Sequence, residues 1–354
     1  MNTSLSLDHY RLLGRSGLRV SPLALGTMTF GADWGWGAEL AEARRLFDVY
    51  VERGGNFIDT ANRYTEGSAE RFVGEFAAGR RDRLVIATKY TLPMQPDDPN
   101  SGGNHRKSML RSVEGSLQRL NTDYIDLLYL HAWDFTTSVE EIMRAMDDLV
   151  RAGKVLYVAV SDLPAWQASR MQMLADLRGW SPLIALQIEY SLLERTVERE
   201  LMPMAQELGL GVIPWSPLAG GVLSGKYRRQ DLQPSPDEAG SRREAVRAKG
   251  TLNAHNLDIA DAVKQIADET GYSPSQIALA WTLRHPTVTA PIVGARTLTQ
   301  LEDNLGALNV ALGQEHWRRL DALSAIELGF PHDFLALPTT RSIMSGGLHL
   351  ARRR

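Results

Sequence analysis

The sequence predicts an α/β chain folded as a (β/α)8 TIM barrel, and three observations carry that reading. Short apolar runs alternate with longer segments of helical period, eight times over, without a separate all-helical block. The runs are apolar almost throughout, as strands buried on both faces of a parallel sheet require. After the first run comes GTMTFGADWGWGAE (26–39), which lacks the G-x-G-x-x-G spacing that opens a doubly wound dinucleotide-binding sheet.

Each element follows in order. YRLLGRSGLRVSP (10–22) reads as a hairpin, Arg15-Ser16-Gly17 at its tip, capping the barrel floor. SPLALGT (21–27) is the first barrel strand, and AELAEARRLFDVYVERG (38–54) its helix. NFIDT (56–60) pairs with SAERFVGEFAAG (68–79). LVIATKY (84–90) leads through a Pro/Gly/Asn-rich loop (91–104) into HRKSMLRSVEGSLQRL (105–120). YIDLLYLH (124–131) precedes VEEIMRAMDDLVRAG (139–153), with Ser138 in the capping position. VLYVAVS (155–161) is followed by PAWQASRMQMLADLRG (164–179), and LIALQIEY (183–190) by VERELMPMAQELG (197–209). GVIPWSP (211–217) opens a long polar insertion (218–250), then helices near 253–270 and 274–284. VTAPIVGA (288–295) and LTQLEDNLGAL (298–308) complete the eighth unit. The expectation is one domain over 1–354, with the barrel at 20–312 and a tail at 313–354. The tail's last stretch, TTRSIMSGGLHLARRR, has no periodicity and reads as mobile.

Composition narrows the function. The 354 residues are 44% hydrophobic and 23% charged, ordinary for a soluble globular protein. A net charge of −3 gives no nucleic-acid footprint. The absence of cysteine removes disulfides, thiolate chemistry and cysteine-based zinc sites. The N-terminus has no apolar h-region, and no apolar run approaches the roughly 20 residues of a membrane span. A cytoplasmic protein acting on a small molecule is expected, with no nucleic-acid or membrane partner; a homo-oligomer is left open.

In such a barrel the site is built at the C-terminal ends of the strands. Asp59 ends the second strand and Tyr64 stands just past it; Lys89 ends the third and His131 the fourth. Singly, each is more readily a solvated charge or a packing residue. Together, from adjacent strands on one rim, they read as a functional site.

That quartet, in this order and on these strands, resembles the aldo-keto reductase family. The resemblance runs from LGTMTFG (25–31) to PIVGARTLTQLEDNL (291–305), and includes IDTANRYTEGSAERFVGEF (58–76) and GVIPWSPLAGGVLSGKY (211–227). VSDLPAWQ (160–167) and WGWG (34–37) are more like the aryl-alcohol dehydrogenase-like branch. The resemblance implies reversible reduction of aldehydes or ketones by a nicotinamide, with Tyr64 as proton donor and no metal. Lys89, held by Asp59, is expected to favour the phenolate and lower the tyrosine pKa from about 10. His131 is expected to hydrogen-bond the carbonyl oxygen.

The resemblance also implies a cofactor groove. Gly26 and Thr27 sit at its rim with Asp59. Ser161, Asp162 and Gln187 would hold the nicotinamide carboxamide, and Trp215 would stack on its ring. Ser216, Leu218 and Gly220 would face the pyrophosphate, and Lys226 lies close by. Gly294, Arg296, Gln300 and Asn304 carry the adenosine end, where Arg296 and Arg242 favour NADPH/NADP+ over NAD. Asp162 stands where many family members have asparagine, which puts the grip on the carboxamide in question. Its other reading is a cap for the helix at Pro164. On the substrate side, Trp34, Trp36, Tyr64, Tyr90, His131 and Trp133, with Phe135, suggest an aromatic or otherwise bulky carbonyl compound. Phe330 and Phe334 are expected to close the far side. The alternatives are a sugar-directed keto-reductase, a cofactor-binding regulatory subunit of the same fold, or a non-redox lyase or isomerase.

Overall fold

A computed structural model describes residues 5–234 and 241–348. Eight strands pair in parallel: β3 (Ala24–Gly26), β4 (Phe57–Asp59), β5 (Val85–Tyr90), β6 (Ile125–Leu130), β7 (Val155–Ser161), β8 (Leu183–Glu189), β9 (Gly211–Trp215) and β10 (Ile292–Gly294). Their order in the sheet is β10-β3-β4-β5-β6-β7-β8-β9. The ring is nearly closed by a parallel bridge between Val212 and Val288, where Thr289 N–H donates to Val212 O at 2.8 Å. The fold is the (β/α)8 barrel.

Helices follow the strands as the periodicity requires: α1 (Leu40–Glu52), α2 (Ser68–Ala77), α3 (Arg106–Leu120), α4 (Val139–Arg151), α5 (Ala165–Arg178) and α6 (Leu201–Leu208). In α4, Val139, Ile142, Met143, Met146 and Leu149 face the sheet, and the Ser138 hydroxyl accepts from Glu141 N–H. After β9 come α7 (Arg242–Ala248), α8 (Ala254–Thr270) and α9 (Pro274–Leu283); α10 (Leu298–Leu305) follows β10.

The period-2 alternation of each strand divides the core in two. Phe57, Val85, Ala87, Leu127, Tyr129, Ala159, Ala185 and Ile213 pack inside the barrel. Ile58, Ile86, Leu128, Val158, Val160, Leu186 and Val212 pack outward under the helices. Counting on by two from the inward set reaches Asp59, Lys89, His131, Ser161, Gln187 and Trp215. The same alternation that fills the barrel therefore gathers the polar residues above it.

The floor is closed by the antiparallel hairpin β1 (Arg11–Leu12) and β2 (Arg19–Val20). Leu13 and Val20 enter the inner core. Gly14 sits at φ +55°, and a Cβ there would lie 2.2 Å from Ile184 O. The expected hairpin cap is present.

Two segments differ from expectation. The insertion at 218–250 is not a plain loop: it holds short 3-10 turns at Ala219–Ser224 and Arg229–Leu232, then α7. Its residues 235–240 lie outside the described residues. Val246 is the buried residue of α7, so no apolar period marked it. The tail is also helical, with α11 (Gln314–Leu323), α12 (His332–Ala336) and α13 (Pro338–Ser345); its last residues, 349–354, lie outside the described set. α12 and α13 bury none of their residues, so their sequence shows no core-facing stripe. Among the described residues no helix is long and apolar enough to cross a membrane.

Candidate active site

The rim encloses a cavity of about 620 Å³. Its centre is a chain of three side chains. Lys89 Nζ donates to Asp59 Oδ1 at 2.7 Å, to Thr60 O at 2.9 Å and to the Tyr64 hydroxyl at 3.1 Å. Lys89 is 1% exposed and Asp59 2%, so the ion pair is sealed from solvent while Tyr64 OH faces the cavity. The other oxygen of Asp59 accepts from Gln187 Nε2 at 2.8 Å. His131 stands edge-on to Tyr64, with ring centroids 6.0 Å apart, and also lines the cavity. All four expected residues meet.

Burial reverses one expectation. It lifts the Tyr64 phenol above its ordinary value; Lys89 pulls the other way without winning. Burial also opposes the Lys89 ammonium, but Asp59 and then Tyr64 outweigh it, and the lysine is held charged. Tyr64 is thus a neutral phenol beside a cation, a proton donor more than a phenolate. Burial and Lys89 push His131 down to about 3, which leaves a neutral imidazole at physiological pH.

Strained backbone also lies on this rim. Thr91, Phe135, Asp162 and Ser216 follow β5, β6, β7 and β9 and have φ of +96°, +59°, +46° and +53°. Non-glycine residues in this region generally cost about 1–3 kcal/mol each and persist only where the surroundings fix them.

Most of the expected groove residues line the cavity: Gly26, Ser161, Asp162, Gln187, Trp215, Ser216, Leu218, Gly220, Lys226, Arg242, Gly294, Arg296, Gln300 and Asn304. Thr27 does not. It is buried beneath the rim, where its hydroxyl and N–H both donate to Asp59 O at 3.0 and 2.9 Å, bracing the β3–β4 contact. Gly220 N–H is already used, donating to Ser216 Oγ at 3.2 Å. Gln300 Oε1 accepts Arg296 N–H, and Asn304 Nδ2 reaches Gly294 O at 3.4 Å, so these two shape the loop as well as line it. Asp162 caps no helix: α5 starts behind Pro164 without a side-chain cap. Its carboxylate accepts the Trp215 indole N–H at 3.0 Å, and burial pushes its pKa up.

The donor set fits a nicotinamide dinucleotide phosphate. Ser161 Oγ is buried without a hydrogen-bond partner among the described residues, at the place expected for the carboxamide. At the other end Lys226, Arg242 and Arg296 converge without an ion pair among the described residues. Burial and the two arginines lower the Lys226 pKa, as crowding of three cations requires. A Cβ on Gly221, at φ +93°, would meet Lys226 Nζ at 2.5 Å, so the turn leaves that ammonium its space.

The sequence model of the aldo/keto reductase family matches residues 22–325. The chain belongs to the aldo/keto reductase family. Like the family it is an NAD(P)H-dependent carbonyl-reducing enzyme. It is 39% identical to a norsolorinic acid reductase of Aspergillus flavus over 95% of this chain and 86% of that protein. It is 36% identical to an aryl-alcohol dehydrogenase [NADP(+)] of Phanerodontia chrysosporium over 92% and 88%. An uncharacterized oxidoreductase, YrpG, of Bacillus subtilis is 40% identical over 88% and 94%.

The aromatic residues expected around the substrate divide. In this aldo/keto reductase Trp34 and Trp36 line the cavity, 5.8 Å apart, with the Trp34 indole donating to Glu66. Arg242 lies 5.0 Å from the Trp36 ring centroid and joins this loop to α7. Tyr90 does not reach the cavity. It follows inward-facing Lys89, so the alternation turns it outward into the helix layer, its hydroxyl 3.4 Å from Asn104 O. Trp133 and Phe135 line a neighbouring depression of about 350 Å³ instead. Phe330 and Phe334 are 86% and 52% exposed, lie with tilted rings 6.2 Å apart and line neither space. Four charged residues of the cavity wall were not anticipated, Arg63, Glu189, Lys249 and Asp303. Glu189 carried a signal, an acid two residues past Gln187 on an inward face. Lys249 carried none, being one cation among several in a polar insertion.

Proposed function

We propose that this enzyme uses NADPH to reduce aromatic or other bulky aldehydes and ketones, reversibly, with Tyr64 as the acid. The Asp59–Lys89–Tyr64 chain carries the reading. When bound, the cofactor supplies the hydride for the carbonyl carbon. Tyr64 donates its phenolic proton to the carbonyl oxygen, and the Lys89 ammonium, 3.1 Å away, stabilises the phenolate left behind. Asp59 keeps Lys89 charged and in place. The neutral His131 orients the carbonyl by donating from a ring N–H, which it does without adding a second cation beside Lys89. Ser161 and Gln187 would hold the carboxamide, Trp215 the ring, and Lys226, Arg242 and Arg296 the adenosine phosphate. The cluster of three cations favours NADPH over NADH, and Trp34 and Trp36 favour a flat, apolar substrate. A panel of aryl aldehydes, aliphatic aldehydes and keto-sugars, followed by NADPH absorbance, tests this. Turnover of the aryl aldehydes is expected to be greatest; turnover confined to sugars would overturn the substrate class.

A further inference from the structure

Trp215 is held by charged groups on two sides. Its indole N–H donates to Asp162 Oδ1, which fixes the ring plane. Lys249 Nζ stands 4.4 Å from the ring centroid and also reaches the two Glu189 carboxylate oxygens at 3.2 and 3.3 Å. Trp215 lines both the main cavity and the smaller depression, whereas Lys249 lines the main cavity alone. The ammonium thus stands over the ring and borders the cavity that a planar ligand would enter.

We propose that Lys249 is a resident competitor for the nicotinamide, occupying the face of Trp215 that the cofactor ring takes and retreating onto Glu189 when it arrives. This inference rests on the cofactor reading above. Glu189 already holds the ammonium, so displacement gives up the ring contact while the ion pair survives. The Lys249 side chain is 53% exposed, which leaves it room to swing. A half-exposed cation–ring contact corresponds to about a two- to fivefold change in a dissociation constant. Lys249 therefore weakens the grip on the nicotinamide end, in both redox forms, and leaves the adenosine end alone.

Calorimetric titration of the wild type, Lys249→Met and Lys249→Arg with NADP+, NADPH and 2′-phospho-ADP-ribose tests it. The last ligand shares the phosphates and adenosine but has no nicotinamide. Methionine keeps the stem without the charge, and arginine keeps the charge and adds a planar face for the indole. The methionine variant is expected to bind NADP+ and NADPH about two- to fivefold more tightly and the arginine variant more weakly. Neither should alter 2′-phospho-ADP-ribose. Unchanged or weaker nucleotide binding by Lys249→Met would overturn the proposal. So would an equal change for 2′-phospho-ADP-ribose, which would assign the effect to α7 as a whole. A nicotinamide that adds nothing over 2′-phospho-ADP-ribose in both the wild type and Lys249→Met would also sink it, while preserving the phosphate site. One that binds none of the three would sink the cofactor reading itself, and this inference with it.

Discussion

Tyr64 can serve as an acid because its surroundings hold the proton on until a carbonyl arrives. Burial keeps the phenol neutral, and Lys89, charged by Asp59, waits to stabilise the anion. Tyr64→Phe should lower kcat by about 10²–10⁴-fold with little change in NADPH affinity; a loss under about tenfold would mean another group delivers the proton. The raised phenol pKa also sets a sign for pH. Reduction needs the protonated form, so its rate should not fall until the pH passes the ordinary phenol value of about 10. A second prediction concerns Asp162, whose carboxylate touches Trp215 instead of capping α5. Asp162→Asn keeps an acceptor for the indole and removes only the charge. A negative charge there favours a cationic oxidised ring, on the order of 1 kcal/mol at an effective dielectric near 20. The Kd ratio of NADP+ to NADPH should therefore rise severalfold; an unchanged ratio with a lower Tm would leave Asp162 a purely structural anchor. The quartet was legible because Asp59, Lys89 and His131 come at strand ends and Tyr64 stands just past the second. Tyr90 was misread for want of the same rule, since next to an inward Lys89 it must face out. Gln187's bond to Asp59 left no mark in the sequence, because a pair 128 residues apart is set by register alone.

At the scale of elements, strands and amphipathic helices were readable from their periods, while short pieces with little burial were not. α7, α12 and α13 lack an apolar stripe, so nothing in their composition separates helix from loop. Yet α7 matters, because it brings Arg242 to Lys226 and to Arg296 beyond β10. Three segments thus build the proposed anion site, and its predicted selectivity belongs to them jointly. Arg242→Ala with Arg296→Ala should weaken NADPH far more than NADH, each charge-assisted hydrogen bond contributing roughly 1.5–3 kcal/mol. Equal weakening would show that the arginines do not read the extra phosphate. The hairpin gives a stability prediction at the opposite face. Gly14→Ala would press a Cβ onto Ile184 O and Gly209 O, 2.2 and 2.7 Å from its ideal position, at a positive φ. The β1–β2 hairpin must then lift from the floor, and Tm should drop by several degrees, consistent with a loss of about 2–4 kcal/mol. An unchanged Tm would mean that the floor does not depend on the hairpin's seating.

For the whole molecule, the barrel's stability is tied to the site it carries. An imidazole that titrates at about 3 when folded and near 6.5 when unfolded binds a proton first in the unfolded chain. Between those values the unfolded state holds more protons, so stability falls as pH drops from about 6.5 toward 3, and changes no further below that. From pH 7 to pH 5 the loss from His131 alone should be about 2 kcal/mol. His285, also shifted down by burial, acts in the same direction, so the wild-type curve by itself cannot apportion the effect. His131→Gln removes one titrating group and keeps the other. Urea unfolding of both proteins at pH 7 and pH 5 should show the variant losing about 2 kcal/mol less than the wild type over that interval. Equal losses would mean that His131 is hydrated in solution and titrates near its ordinary value. It would then carry a positive charge beside Lys89 at pH 6, a different electrostatic setting for the proton transfer from Tyr64. The acid sensitivity of the fold and the neutrality of the orienting imidazole thus stand or fall on the same measurement.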